Sequence, residues 1–521
     1  MWTREIPFCD PAAAAARLRH LPGLAFLDSA MPHATLGRHS IVAADPFGRF
    51  RFREGRATLD GRPVPGGPIE ALRAALAPWR IDRPADGIFP GGAIGYFAYD
   101  LGQALERVAR PPRRAGLTDD IAFNLYDTAL VIDHASGTCR LVATGFPETG
   151  EGARAARAEA RLAHFAALLG QGVPDEVPAP VPALDWRSNF TRAGYEAAVE
   201  RVRDYIRAGD IYQANIAQRF SADLPAGFDG FALYRALRAA NPATFGAYLA
   251  FEGLTVASSS PERFLKLANR AVETRPIKGT ARRLPDPAAD AAVAEALRQN
   301  PKERAENIMI VDLLRNDLSR VCEAHSVRVP TLCGLETYAG VHHLVSVVTG
   351  TLRDGLDALD LVAATFPGGS ITGAPKIRAM DIITEIEGDA RELYCGAIGR
   401  IGFDGALDTS IAIRTVFMDD RTAVLQAGGG ITLLSEPGPE YDETLAKASR
   451  VFEAFGGGRP REGDGHGFQR SRPLAGAGQS PAVGSLALAK PGRSRSRGSR
   501  PGTPPKGLGP WGSHDPRRSR P

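Results

Sequence analysis

Apolar residues in this chain come in short runs that Gly and Pro keep interrupting, and that pattern limits the fold more than any other feature. Gly92–Phe97 (GAIGYF) and Ala129–Asp133 (ALVID) have the length and residue types of strands. Helical periodicity lies between such runs. It predicts a helix over 153–169 and one opened by Thr191, with Ala198, Val202, Tyr205 and Ile206 on one face and Gly209 at its end. A long helix is expected from about Asp290 to Leu318, a shorter one over 377–386, and a last one carrying Glu440 to Phe455. Strands and helices mixed in this way give an α+β fold class. No run of about eighteen apolar residues occurs, so no membrane partner is expected.

The Pro- and Val-rich segment 173–182 reads as a connection and divides residues 1–175 from 185–456. Beyond Gly456 the composition turns to Gly, Pro, Ser and Arg, which cannot bury enough apolar surface to order itself, so 457–521 is expected to be a disordered basic tail. Much of the formal charge of +4 lies in that tail, and the body carries no basic excess that would indicate nucleic acid. The five cysteines are an odd number, scattered and without a C-x-x-C pair, which excludes a disulfide framework and a zinc ribbon. Reduced thiols and an amino terminus with no apolar signal core point to a cytoplasmic protein.

Chemistry concentrates in a few segments. Glu303 and Glu306 lie three apart on an expected helix, and Glu440 and Glu443 repeat the spacing on another, so each pair projects from one helix face. Facing pairs of this kind make a hard, oxygen-rich site suited to Mg²⁺, although the same spacing also serves solvated faces. Phe366–Lys376 (FPGGSITGAPK) and Gly428–Thr432 (GGGIT) are loops whose backbone amides are free to approach an anion, or else tight turns; neither has the spacing of a Walker loop. Lys278, in RPIKGT at the end of a β-like run, is either a nucleophile partly withdrawn from water or a lysine reaching out from a turn.

Together these segments resemble the chorismate-utilising enzymes, the family of the anthranilate, aminodeoxychorismate, isochorismate and salicylate synthases. The resemblance runs through Ser260–Phe264 (SPERF), 276–280, 306–317, His342–Ser346 (HHLVS), 366–376, Ile411–Thr415 (IAIRT) and 428–447, and covers nearly all of 10–455. It implies a large two-part β-sandwich-like body with peripheral helices and an active site in a central cleft. It also implies Mg²⁺ held by Glu306 and Glu443 with Glu303 and Glu440 beside it, Lys278 as nucleophile and Glu262 as acid. Arg414, Lys447, Thr372, Gly430, His343 and Gln213 would complete a chorismate pocket.

Two positions choose the branch. Anthranilate synthases typically carry Ala where this chain has Lys278, and the water-adding enzymes carry a lysine base where it has Gln213, which cannot act as a base. The expectation is therefore the aminodeoxychorismate synthase component I branch, which aminates C4 on the way to 4-aminobenzoate and folate, with anthranilate synthase component I as the alternative. No glutaminase signature surrounds any cysteine, so a separate glutamine amidotransferase subunit is expected as partner, and the product would pass to a separate lyase. Asp28 and Ser29, with Asn241 and Pro242, match the two halves of a tryptophan pocket in the family.

Overall fold

The computed structural model describes residues 1–463 apart from 32–35, 85, 172–179, 339 and 459. These residues build two large sheets, each of twelve strands among the described residues, with every ladder antiparallel. Strands from both sides of the 173–182 segment interleave in each sheet. In the first sheet Ala25–Asp28 pairs with Phe245–Phe251, placing Asp28 opposite Gly246. In the second, Gly92–Phe97 pairs with Ala397–Gly402.

Alternation along the strands shows how the layers are arranged, because successive side chains point to opposite faces. In the first sheet Ile41, Ala43, Ala129, Val131, Ala247 and Leu249 join one buried cluster with Phe50, Phe97, Phe123, Leu265 and Ile398 of the second sheet. Their neighbours Val42, Leu130, Ile132 and Tyr248 enter another cluster, with residues of the helices Glu151–Gly170, Gly230–Ala240 and Pro437–Ala454. The two sheets therefore share a core, and helices cover the first sheet's other face. A third cluster gathers Tyr195, Ala198, Val199 and Val202 of the helix Arg192–Arg207 with Ile382, Ile383 and Ile386 of Lys376–Glu387, against Ile216 and Tyr441.

Local signals set most helix ends. Thr191 caps its helix by accepting the amide of Gly194, and Gly209 beyond the end has a φ of +82°. The single helix expected from Asp290 to Leu318 is instead two, Pro287–Gln299 and Pro301–Ser319. Pro301 has no amide to continue the first helix and pushes Asn300 out of the helical region. Asn300 then caps the second helix, its side chain accepting the amides of Lys302 and Glu303. Lys278 lies near the start of the strand Ile277–Arg282 rather than at the end of a run.

At the carboxyl end the chain passes the edge of the first sheet, where the Arg461 amide donates to the Trp186 carbonyl and the Ser188 amide to that of Arg461. Of the tail expected over 457–521, residues 464–521 lie outside the described residues, as do 172–179 of the expected connection.

Candidate active site

The strand Gln213–Asp223 pairs with Thr422–Ile431, placing Asn215 opposite Gly430, and the helix Pro437–Ala454 follows the second strand. The glycines leave the space beside this ladder open. A β-carbon on Gly429 would lie 3.0 Å from Glu440 Oε2, 3.8 Å from Lys447 Nζ and 3.9 Å from Glu443 Oε1. One on Gly430 would lie 2.1 Å from Gln213 Nε2 and 3.3 Å from Lys278 Nζ. The lysine amine and the glutamine amide thus meet over a bare α-carbon.

Lys278 arrives from the second sheet, where Ile277–Arg282 pairs with Val341–Thr351. The helix Pro301–Ser319 runs beside that strand, and a β-carbon on Gly279 would sit 3.2 Å from Glu303 Oε2. Glu306, one turn on, is pushed up from the usual carboxylate range by burial, with Glu303 and Glu440 adding repulsion and Lys278 and Lys302 opposing it. Burial raises Glu440 as well, against a hydrogen bond from Ser435. Burial also acts on Glu443, but Lys447, whose Nζ is 2.7 Å from Glu443 Oε1, outweighs it and holds this carboxyl below its ordinary range. Lys447 donates to the Gly428 carbonyl at 2.9 Å too.

Glu262 is buried, and that burial pushes its carboxyl up to about 7 despite the Ser370 hydroxyl, which donates to Glu262 Oε1 at 2.7 Å, and the nearby charge of Lys278. A group so placed can give up a proton near neutrality. Arg414 stands close enough for its charge to reach both Glu262 and His343, and its guanidinium has no hydrogen-bond partner among the described residues. Burial, helped by Arg414, lowers His343 to about 4, so its ring is neutral at pH 7; its Nδ1 lies 2.8 Å from Thr280 Oγ1. Gln213 Oε1, Asn215 Nδ2 and Thr432 Oγ1 are buried with no hydrogen-bond partner among the described residues.

The structure therefore brings Lys278, Gln213 and Gly430 together, with Glu262, Glu306 and Glu443 all within reach of the Lys278 charge and Arg414 near Glu262. Thr372 is buried next to them, its hydroxyl donating to the Gly368 carbonyl. Lys376, by contrast, turns away to Asp317 and the Thr365 carbonyl. Asp28 and Ser29 form a separate group near Asn241 and Pro242. Asp28 Oδ2 accepts from Arg238 Nε at 2.6 Å and from Tyr234 OH at 3.0 Å, Ser29 donates to the His39 carbonyl, and Asn241 donates to Ser259. A small cavity lined by Arg73, Leu76, Asp357 and Phe403 contains none of these residues.

Three contributors escape a reading of the sequence. Ser370 lies inside a motif that reads as a flexible loop, and Lys302 inside one valued for its acids. Arg391, fully buried, pairs with Glu387 at 2.7 Å and donates to the carbonyls of Ile371 and Asn215, which ties the 366–376 loop to the central strand. Glu387 is a local partner four residues back, but the carbonyls that Arg391 reaches come from segments 20 and 176 residues away and leave no mark beside it.

A family model described as chorismate binding enzyme matches residues 28–453. The chain belongs to the chorismate-binding enzyme family. It is 40% identical over 443 residues to aminodeoxychorismate synthase component 1 of Salmonella typhimurium, covering 84% of this chain and 94% of that protein. Anthranilate synthase component 1 of Cereibacter sphaeroides is 38% identical over 433 residues, 80% of this chain and 86% of that protein. Among solved structures, anthranilate synthase component I from Streptococcus pneumoniae superposes with a TM-score of 0.73 at 33% identity, over 81% of this chain and 94% of that one. The menaquinone-specific isochorismate synthase MenF of Escherichia coli shares the fold, with a TM-score of 0.67 at 17% identity over 87% of this chain and 94% of that one. As a member of the chorismate-binding enzyme family, this chain is a chorismate-using enzyme.

Proposed function

We propose that this enzyme converts chorismate and ammonia into 4-amino-4-deoxychorismate, as aminodeoxychorismate synthase component I does, for 4-aminobenzoate and folate formation. One observation carries the reading: a primary amine, Lys278 Nζ, stands over Gly430 beside Gln213, its charge within reach of both the raised acid Glu262 and the carboxylate Glu306. Relatives at 40% identity bearing the aminodeoxychorismate synthase name support it.

The site's own groups suggest the sequence of events. Lys278, as the neutral amine, attacks C2 of chorismate while the C4 hydroxyl takes the proton of Glu262 and leaves as water, the two ring double bonds moving from C1=C2 and C5=C6 to C1=C6 and C4=C5. Ammonia then attacks C4, the C2–nitrogen bond breaks, and the lysine is returned. A covalent nucleophile divides one hard displacement into two easier ones. Arg414 offers an uncommitted planar fork for a carboxylate, and the unpartnered Gln213 Oε1 and Thr432 Oγ1 offer further contacts.

The donor chemistry fits Mg²⁺. Glu303, Glu306, Glu440 and Glu443 are hard oxygen donors, and burial first, with repulsion from neighbouring glutamates added, pushes Glu306 and Glu440 up. When bound, Mg²⁺ supplies a positive partner for the ring carboxylate and draws charge toward it. Ammonia is expected from a glutamine amidotransferase subunit, consistent with the "component 1" names of the relatives, and a separate lyase would consume the product. The cytoplasm is the proposed location. The Asp28–Asn241 group is proposed as a tryptophan pocket, its polar contacts already assembled.

The test is purified protein with chorismate, MgCl₂ and an ammonium salt, the product identified by mass. Lys278→Ala is expected to lower 4-amino-4-deoxychorismate formation at least about a hundredfold. Unchanged formation by this variant excludes the adduct, and anthranilate as the product moves the enzyme to the other branch.

A further inference from the structure

Four carboxylates and three ammonium groups crowd the same space, and the lysines are not held alike. Lys447 is tethered twice, to Glu443 at 2.7 Å and to the Gly428 carbonyl at 2.9 Å. Lys278 belongs to the reacting end, beside Gln213 and Gly430. Lys302 has one long contact, its Nζ 3.7 Å from Glu440 Oε1, and its side chain is 37% exposed. Its charge also reaches Glu306 and Glu443. It starts in the first turn of Pro301–Ser319, whose backbone Asn300 fixes, and reaches across to Glu440 on the other helix.

These contacts spread the acids over separate partners. Among the described residues no three of the carboxylates converge closely enough to hold an ion. A divalent cation that draws acids from both helices together has to take Glu440 from whatever holds it. An ammonium group on a flexible, solvated stem gives way more readily than one tied to a backbone carbonyl.

We infer that Lys302 is a displaceable counter-ion of the carboxylate cluster, competing with a divalent cation for Glu440 and so setting how tightly that cation binds. This rests on the reading of Glu303, Glu306, Glu440 and Glu443 as the cation's ligands. A lysine that instead served the substrate would leave cation affinity unchanged when removed and weaken chorismate binding.

Titration calorimetry with MgCl₂ at fixed ionic strength distinguishes the two, using the full chain, Lys302→Gln and Lys302→Arg, each checked for native circular dichroism. Lys302→Gln is expected to bind Mg²⁺ on the order of tenfold more tightly, because one positive charge a few ångströms from the cation has gone. Lys302→Arg, which keeps the charge, is expected to stay close to the parent. Equal or weaker binding by Lys302→Gln overturns the inference. No Mg²⁺ binding by either parent or variant overturns both the inference and the metal reading beneath it.

Discussion

At the scale of single residues, Ser370 and Glu262 meet at 2.7 Å, and that hydroxyl helps set how firmly the buried acid holds its proton. Glu303, Glu306, Glu440 and Glu443 stand out because an i, i+3 spacing puts carboxylates on one helix face whatever the tertiary fold. Ser370 could not be picked out, since a serine in a Gly-rich loop gains its meaning only when the fold sets it 2.7 Å from Glu262. That contact makes a prediction. If protonated Glu262 is the acid, turnover falls as pH rises through its value of about 7. The Ser370 hydroxyl donates to the carboxylate and favours the ionised form, so Ser370→Ala should raise the Glu262 value further. The basic limb of the kcat profile should move up by about one pH unit, the worth of one hydrogen bond to a charged group. A limb that stays in place while the Tm falls would make Ser370 a packing residue only.

At the scale of elements, helix caps are local signals, though periodicity alone runs Pro287–Gln299 and Pro301–Ser319 together, and sheets show in the sequence only as isolated strands. Caps such as Thr191 act within a few residues of themselves, so sequence carries them, whereas the pairing of Gln213–Asp223 with Thr422–Ile431 joins segments two hundred residues apart and leaves no local mark. The glycines of that ladder were ambiguous between turn and ligand cradle, and the structure divides them by position. A β-carbon on Gly428 would lie 2.3 Å from the Ile216 carbonyl oxygen, backbone that can move only by parting the strands. Gly428→Ala should cost about 1–3 kcal/mol of stability, read as a lower Tm or denaturation midpoint. On Gly430 the nearest atom is the end of the flexible Gln213 side chain, followed by Lys278 Nζ. Gly430→Ala should fold with nearly the parent's Tm yet lose on the order of tenfold to a hundredfold in kcat/KM for chorismate, since one methyl group fills space beside the amine.

At the scale of the whole molecule, composition located a border at 173–182 but could not tell what crosses it. A Pro-rich connection looks the same between two independent domains as between two parts of one core. What distinguishes them is pairing across the border, which is non-local and invisible to periodicity. Here the first sheet is sewn across it by Ala25–Asp28 with Phe245–Phe251, and the second by Gly92–Phe97 with Ala397–Gly402. Residues 1–171 produced alone would therefore present two open strand edges, along Ala25–Asp28 and along Gly92–Phe97, and the shared core would have lost Ala247, Leu249, Leu265, Ile398 and its other members from later in the chain. Such a fragment should aggregate or show no cooperative thermal transition by calorimetry and near-ultraviolet circular dichroism. Co-expressed with 180–521 it should elute as a one-to-one complex and recover chorismate turnover, because the missing ladders are then supplied in trans. A sharp, reversible transition of 1–171 by itself would show that the amino-terminal strands close their own core, and that the catalytic residues, all of which follow the border, need only a docked neighbour rather than a shared pair of sheets.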